Sequence, residues 1–240
     1  MDKKYEMVNL EECNLAEKIL HARDWSEGSI GLQRLLIKLY INGISTGMCC
    51  SGIKDYPRHT EENHVTTPNL QIIIAPENAE FVKQLVSQIS KKDFKSIHIS
   101  VSKGTLYIGT KKQMSRDGIS TEEADAHFDN ITDIVERTLT AQREPDKKPE
   151  PGNMKKLFHD FIDADLDGSV PKTWKDKQLE SFYALRYDGE ETSILHETRG
   201  KPLSILPIES TNIDDLLNQI NTHHLTHITG PNCLNSQREL

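Results

Sequence analysis

The sequence predicts an α/β (α+β) fold, in which a layered mixed sheet packs against helices and a smaller mixed α/β segment follows. Three observations predict it. Apolar residues recur at helical spacing in several stretches, short runs rich in β-branched residues lie between them, and turn residues separate the runs. Helices and strands that alternate in this way pack as layers around a hydrophobic core.

Two helices open the chain. Apolar residues at helical spacing begin near Asn9, and Cys13 belongs to this stripe, so we expect it in the core. Ser29 is placed to cap a second helix, whose leucine-rich stripe should end at the Asn42-Gly43 stop signal.

Strands and helices then alternate. We expect a short strand into Cys49-Cys50 and a buried strand at 70–74, where apolar and β-branched residues dominate. Pro76 suits the first turn of the next helix, because a proline there has no intrahelical hydrogen bond to lose.

A hairpin and a long helix should complete this first part. Strands at 95–101 and 105–109 are close enough to pair through a tight turn. Ser120 and Glu123 then have the spacing of a capping box, which predicts a helix with apolar residues facing the core.

The chain divides where hydrophobic periodicity is lost. Three prolines lie among alternating charges between about 140 and 153, as is typical of a linker. We therefore predict four parts: an α/β domain at 1–140, a linker at 141–153, a small mixed α/β module at 154–230 and a tail at 231–240. Within the module we expect a helix, a hairpin, an extended piece and a second helix, at 154–162, 182–187 with 192–196, 203–207 and 213–220.

Composition narrows the class of protein. The chain has 240 residues and a net charge of −8, which argues against a broad basic surface for nucleic acid. It lacks an apolar run of the roughly 18 residues that a membrane span needs. Four cysteines, two of them adjacent, do not suggest a disulfide framework, so we expect a cytoplasmic protein.

Three stretches occur in an order that resembles the family of the third tRNA wybutosine-synthesis protein. The first matches the family's Asp…Ser…Lys-Gly-Ser-(Val/Ile) opening, the second its Thr-Thr-Ser-(Ser/Cys)-Cys-(Ser/Ala)-Gly-Arg turn, and the third its Ser-Pro-x-Leu-His-Val strand and the pair of strands that follows. In this chain they are Asp24-Trp25-Ser26-Glu27-Gly28-Ser29-Ile30, then Thr46-Gly47-Met48-Cys49-Cys50-Ser51-Gly52, then residues 67–72, 94–96 and 106–108. The resemblance covers residues 22 to 140.

The family consists of S-adenosylmethionine-dependent methyltransferases that act on a modified guanosine beside the tRNA anticodon. The resemblance implies S-adenosylmethionine as cofactor and tRNA as partner. It also implies that the turn lines the methyl-donor pocket, through Thr46, Cys49, Cys50, Ser51 and Gly52.

The chain departs from the family at two polar positions. Ile53 stands where the family's turn carries arginine, and Gln71 stands where its strand carries histidine. The resemblance therefore supports the fold more strongly than the activity.

The residues alone allow two interpretations of the cysteine pair. A cysteine near His59 or His64 could be a nucleophile that imidazole activates. Alternatively, one cysteine fills a small core site while Gly52 permits the backbone of the turn.

The C-terminal module contains a possible calcium loop. Asp163, Asp165 and Asp167 alternate before Gly168, as ligands do in an EF-hand. The twelfth position, which should supply a bidentate glutamate, is Trp174, so an acidic loop that ends a helix is the alternative.

Two functional classes follow. The first is a tRNA-modification-like methyltransferase, with activity either retained or lost. The alternative is a non-catalytic regulatory protein that keeps the scaffold and binds a protein partner through its acidic C-terminal module.

Overall fold

The computed structural model describes seven stretches of the chain. They are residues 14–53, 67–111, 118–143, 153–170, 181–198, 201–208 and 212–229. The predicted tail at 231–240, most of the predicted linker, and both His59 and His64 lie outside these residues.

Six helices and six strands form the described part. The helices are α1 (Leu15–Trp25), α2 (Ile30–Ile41), α3 (Ala79–Gln88), α4 (Thr121–Arg143), α5 (Asn153–Leu166) and α6 (Ile213–Thr229). The strands are β1 (Asn69–Ile73), β2 (Ile97–Ser102), β3 (Thr105–Thr110), β4 (Ser181–Tyr187), β5 (Thr192–Thr198) and β6 (Lys201–Pro207). The α/β class is confirmed. None of the described helices is long and apolar enough to cross a membrane.

The six strands form one sheet in the order β1-β3-β2-β4-β5-β6, and all their pairings are antiparallel. The predicted hairpins are present as β2–β3 and β4–β5. Lys103 and Gly104 join β2 to β3 with φ of +49° and +64°. Positive φ at both central residues is the geometry whose twist matches that of the flanking strands.

The sheet crosses the predicted domain boundary. β4, from the predicted module, pairs with β2 of the first predicted domain, where Val101 lies opposite Leu185. Helix α5 also packs on α3, where the Lys155 ammonium donates to the Ser87 carbonyl. The division into two parts stays a prediction about the chain, while the sheet and the core extend over both.

All six helices belong to one layer. The apolar positions of the strands face this layer. Residues from before and after the predicted linker are buried together in a single core, which includes Leu36, Val82, Ile99, Phe128, Phe161, Leu185 and Leu216. Gly31 lets α2 approach α4 closely, since a Cβ there would lie 2.7 Å from the Asp125 carbonyl oxygen. In the described part of the chain, the fold is therefore a sheet with helices on one face.

The helix caps confirm two sequence predictions and correct a third. The Ser29 hydroxyl accepts the Leu32 N–H, and the Ser120–Glu123 capping box is formed. Pro76 does not open α3, which begins only at Ala79. The reason is Asn78, whose side chain accepts the Ala75 N–H and donates to the Ile73 carbonyl. These bonds hold residues 75–78 as a turn at the end of β1.

Candidate functional site

Residues 45–53 run along the outer edge of β1. The Cys50 N–H donates to the Asn69 carbonyl at 3.1 Å, and the Gly47 N–H donates to the Gln71 carbonyl at 2.9 Å. The predicted strand into Cys49-Cys50 is thus present as isolated bridges to β1. We call residues 49–52, which end this stretch, the cysteine turn.

The side chain of Glu27 occupies the cysteine turn. Its carboxylate accepts the Ser51 N–H at 2.8 Å, and its carbonyl accepts the Ser51 hydroxyl at 3.3 Å. Glu27 is 6% exposed and Ser51 is fully buried. Glu27 also has a φ of +50°, an uncommon conformation for a residue with a side chain. The turn therefore binds a carboxylate that belongs to the chain itself.

Both thiols of the turn are held in the protonated form. Burial raises the pKa of Cys49 to about 11. Burial and then the neighbouring Glu27 carboxylate raise the pKa of Cys50 to about 12. Because the thiolate is the nucleophile, these environments favour the structural interpretation of the cysteine pair.

Gly52 fixes the shape of the turn. Its φ is +68°, and a Cβ at this position would lie 2.5 Å from the Cδ of Pro68. Its carbonyl accepts the Ile119 N–H at 2.9 Å, which ties the turn to the residue two before α4. Any side chain here would strain the backbone and meet Pro68.

The five residues predicted to bind the methyl donor have different environments. Cys49, Ser51 and Gly52 are buried, whereas Thr46 and Cys50 are half-buried. The Thr46 hydroxyl lies 3.0 Å from the Tyr40 hydroxyl. The N–H of Ser51, which a donor carboxylate would use, already donates to Glu27. While Glu27 is in this position the Ser51 N–H is occupied, and binding of S-adenosylmethionine at the turn stays a prediction.

The three aspartates of the predicted calcium loop do not converge. Asp163 and Asp165 lie within α5, which extends past the predicted helix end at 162. Asp163 pairs with Lys83 at 2.5 Å, Asp165 accepts the Gly104 N–H at 2.5 Å, and Asp167 accepts the Ser169 N–H at 2.8 Å. Within the described ranges, no three His, Cys, Asp or Glu side chains are grouped as a metal site. Calcium binding stays a prediction without support from this arrangement.

The face of the sheet away from the helices carries a row of polar side chains. Strand register places them side by side across β1, β3, β2, β4 and β5, and each is half-buried. We call them the open-face row: Gln71, Tyr107, Ser100, Arg186 and Ser193. Their neighbours one position along each strand point into the helix-covered core.

A histidine lies beside this row. His98 of β2 is paired with Gly109 of β3, and a Cβ at Gly109 would lie 2.7 Å from the His98 Cε1. The imidazole ring therefore covers the glycine. Burial, and then the charge of Arg186, lower the pKa of His98 to about 4, so the ring is neutral at physiological pH.

The sequence prediction missed most of this face. Gln71 was identified only as a departure from the family strand. The alternation of His98, Ser100 and Ser102 with apolar residues indicates a polar strand face and could have revealed part of it. The position of Arg186 depends on the β2–β4 pairing, which no local pattern encodes.

No protein-family model, no curated protein and no solved structure matches this chain. The resemblance to the wybutosine-synthesis family accordingly stays a prediction.

Proposed function

We propose that this protein binds single-stranded RNA through the open face of its sheet. The observation that carries the proposal is the open-face row, which crosses five strands on the side that the described helices leave uncovered. The predicted tRNA partner agrees with this choice of ligand.

The chemistry of the row suits unpaired bases. A tyrosine ring can stack on a base, and an arginine can stack on a base or bind a phosphate. The amide of Gln71 and the hydroxyls of Ser100 and Ser193 can donate to and accept from base edges. Single-stranded RNA exposes all of these base features, whereas a helix hides most of them.

The charge of the row also fits RNA. The chain carries a net charge of −8, yet the open-face row contains Arg186 and no carboxylate. Lys111 follows directly after the end of β3, and its ammonium donates to the Asp188 carbonyl at 2.7 Å. A binding face with so few cations should depend on stacking and hydrogen bonds more than on phosphate neutralisation.

Binding of a fluorescent ten-nucleotide single strand, followed by anisotropy, tests this proposal. We expect Arg186→Gln and Tyr107→Ala to weaken binding by roughly 5- to 150-fold each. Arg34→Gln is the matched control, because Arg34 pairs with Asp129 on the helix layer. Wild-type protein that fails to bind at micromolar concentration would contradict the proposal and favour the protein-partner alternative.

Methyl transfer is a second candidate, and the position of the cysteine turn favours it. Cys50 pairs with Asn69 at the edge of the open face, and a Cβ on Gly47 would contact the Gln71 side chain. A base bound at the Gln71 end of the row would therefore lie next to the turn. S-adenosylmethionine would supply the methyl group there, but Glu27 first has to leave the Ser51 N–H.

A calorimetric titration with S-adenosylmethionine tests the second candidate. Heat of binding in the wild-type protein that is lost in Ser51→Arg would place the donor at the turn, provided that thermal unfolding shows the variant to be folded, since Ser51 is fully buried. If neither the wild-type protein nor Glu27→Ala shows heat of binding with millimolar S-adenosylmethionine, methyl transfer is contradicted. Neither result depends on whether RNA binds.

A further inference from the structure

We infer that His98 and Tyr107 form a two-ring platform that stacks two consecutive unpaired bases of the RNA. This inference rests on the proposed function and specifies the smallest ligand unit, a dinucleotide step. It assigns to His98 a role that the sequence did not suggest.

Both rings stand above the same strand. Tyr107 belongs to β3, and the His98 ring, although it comes from β2, covers Gly109 of β3. Residues 107 and 109 point to the same face, and two residues of an antiparallel strand span about 6.8 Å. That spacing leaves room for one base on each ring, while one backbone linkage joins the two bases.

Gly109 makes this arrangement possible. A Cβ at position 109 would lie 2.7 Å from Cε1 and 2.9 Å from Nε2 of His98, which is too close for the ring to stay in place. A glycine in a strand interior weakens the strand, and it often marks a close approach by another group. Here the approaching group is the imidazole of His98, whose Cε1 and Nε2 occupy the space that a side chain at position 109 would need.

The electrostatic surroundings keep the His98 ring neutral. Arg186 and Lys111 disfavour its protonated form, while the Thr110 backbone and Asp188 favour that form more weakly than burial opposes it. His127 of α4 is half-buried, and its partial burial and then the charge of His98 lower its pKa to about 4, so it too is neutral at physiological pH. The His98 ring of the platform is therefore uncharged at neutral pH.

Arg186 lies next to the platform. It is opposite Ser100, which in turn is opposite Tyr107, so the three side chains are adjacent in the open-face row. A guanidinium in this position can neutralise a phosphate of the bound dinucleotide step. The site thus combines two stacking surfaces with one cation.

The experiment measures RNA affinity and base stacking together. The probe is a ten-nucleotide single strand that carries two adjacent 2-aminopurines, whose fluorescence is quenched when they stack. We expect wild-type protein to bind the strand and quench it. His98→Ala and Tyr107→Ala should each lower the affinity by roughly 5- to 150-fold and reduce the quenching, whereas His98→Phe and Tyr107→Phe should keep most of both.

Gly109→Ala tests whether the position of the His98 ring matters, because it leaves the histidine itself unchanged. It keeps both rings but displaces the imidazole, so we expect a loss of quenching close to that of His98→Ala. Thermal unfolding of each variant verifies that it is folded, and Arg34→Gln is again the control.

Two results would overturn the platform. If Tyr107→Ala weakens binding while His98→Ala and Gly109→Ala bind and quench like the wild-type protein, the platform is wrong and the proposed RNA site stands. If the wild-type protein binds no RNA, both fail. Equal losses in His98→Ala and His98→Phe, with both variants folded, would also contradict a stacking role.

Discussion

The cysteine turn and the open-face row lie side by side and differ in how their polar groups are used. In the turn, the Ser51 N–H and hydroxyl both donate to Glu27, and both thiols are held protonated. In the row, the strands satisfy their backbone groups within the sheet, and the side chains point away from the helix layer. The cysteine turn therefore has a structural role, whereas the open-face row has the side chains of a binding surface.

The largest expected effect is on the stability of the protein when the cysteine turn is altered. Gly52→Ala should lower the free energy of unfolding by about 3 kcal/mol or more, because backbone strain adds to the contact with Pro68. Gly43→Ala is the matched control, since Gly43 has a φ of +73° and open space around it. It should cost only about 1 kcal/mol. Urea denaturation measures both, and equal losses would show that Pro68 does not constrain the turn.

The second effect is a dependence of stability on pH. His98 and His127 have folded-state pKa values of about 4, below the ordinary value of 6.5. The unfolded chain therefore binds protons first as the pH falls, so stability is full above about pH 6.5 and decreases between pH 6.5 and pH 4. Each ring should contribute about 1–3 kcal/mol to this loss.

Thermal unfolding between pH 7.5 and pH 5 measures that loss. His98→Phe and His127→Phe should each flatten the curve, and the double variant should flatten it further. A residual slope is expected, because burial also lowers the pKa values of His21 and His159. Unchanged curves in both variants would show that neither ring is buried as described.

The third effect is on thiol chemistry. Glu27→Gln removes the negative charge that helps to raise the pKa of Cys50, so alkylation at pH 8 should accelerate, by less than about tenfold. Cys50→Ser in the same background should abolish the gain. Rapid alkylation of Cys49 or Cys50 in the wild-type protein, located by mass spectrometry, would instead support the nucleophile interpretation.

Much of the fold follows from local patterns in the sequence. Ser29 as a helix cap, the Ser120–Glu123 box and both hairpins were predicted because caps and turns depend on residues a few positions apart. The sequence did not predict that β4 joins β2, because that pairing connects residues about 85 positions apart in the chain and no local rule encodes it.

The candidate site, too, was predicted from the sequence only where it depends on residues that are close together in the chain. The cysteine turn was found because it is a contiguous motif. Its partner Glu27 was noticed only as part of a motif, since the Ser51–Glu27 hydrogen bond depends on how α2 sits beside β1. Arg186 reaches the open-face row only through the sheet order. The predicted helix end at 162 was wrong because α5 continues to Leu166, and the three aspartates of the predicted calcium loop have separate partners.

The smallest expected effect is on salt dependence. For single strands, the logarithm of affinity falls with the logarithm of salt concentration by about 0.7 per phosphate neutralised. Arg186→Gln should therefore reduce the slope by about 0.7, while Gln71→Ala should weaken binding without changing the slope. A steep slope that Arg186→Gln leaves unchanged would place the phosphate contacts elsewhere.

Amide chemical shifts recorded by NMR during titration with single-stranded RNA test the central claim most directly. The account predicts that shifts concentrate on Gln71, His98, Ser100, Tyr107 and Arg186, while the helix layer around Arg34 stays unchanged. Shifts confined to the cysteine turn, or no shifts at saturating RNA, would contradict it.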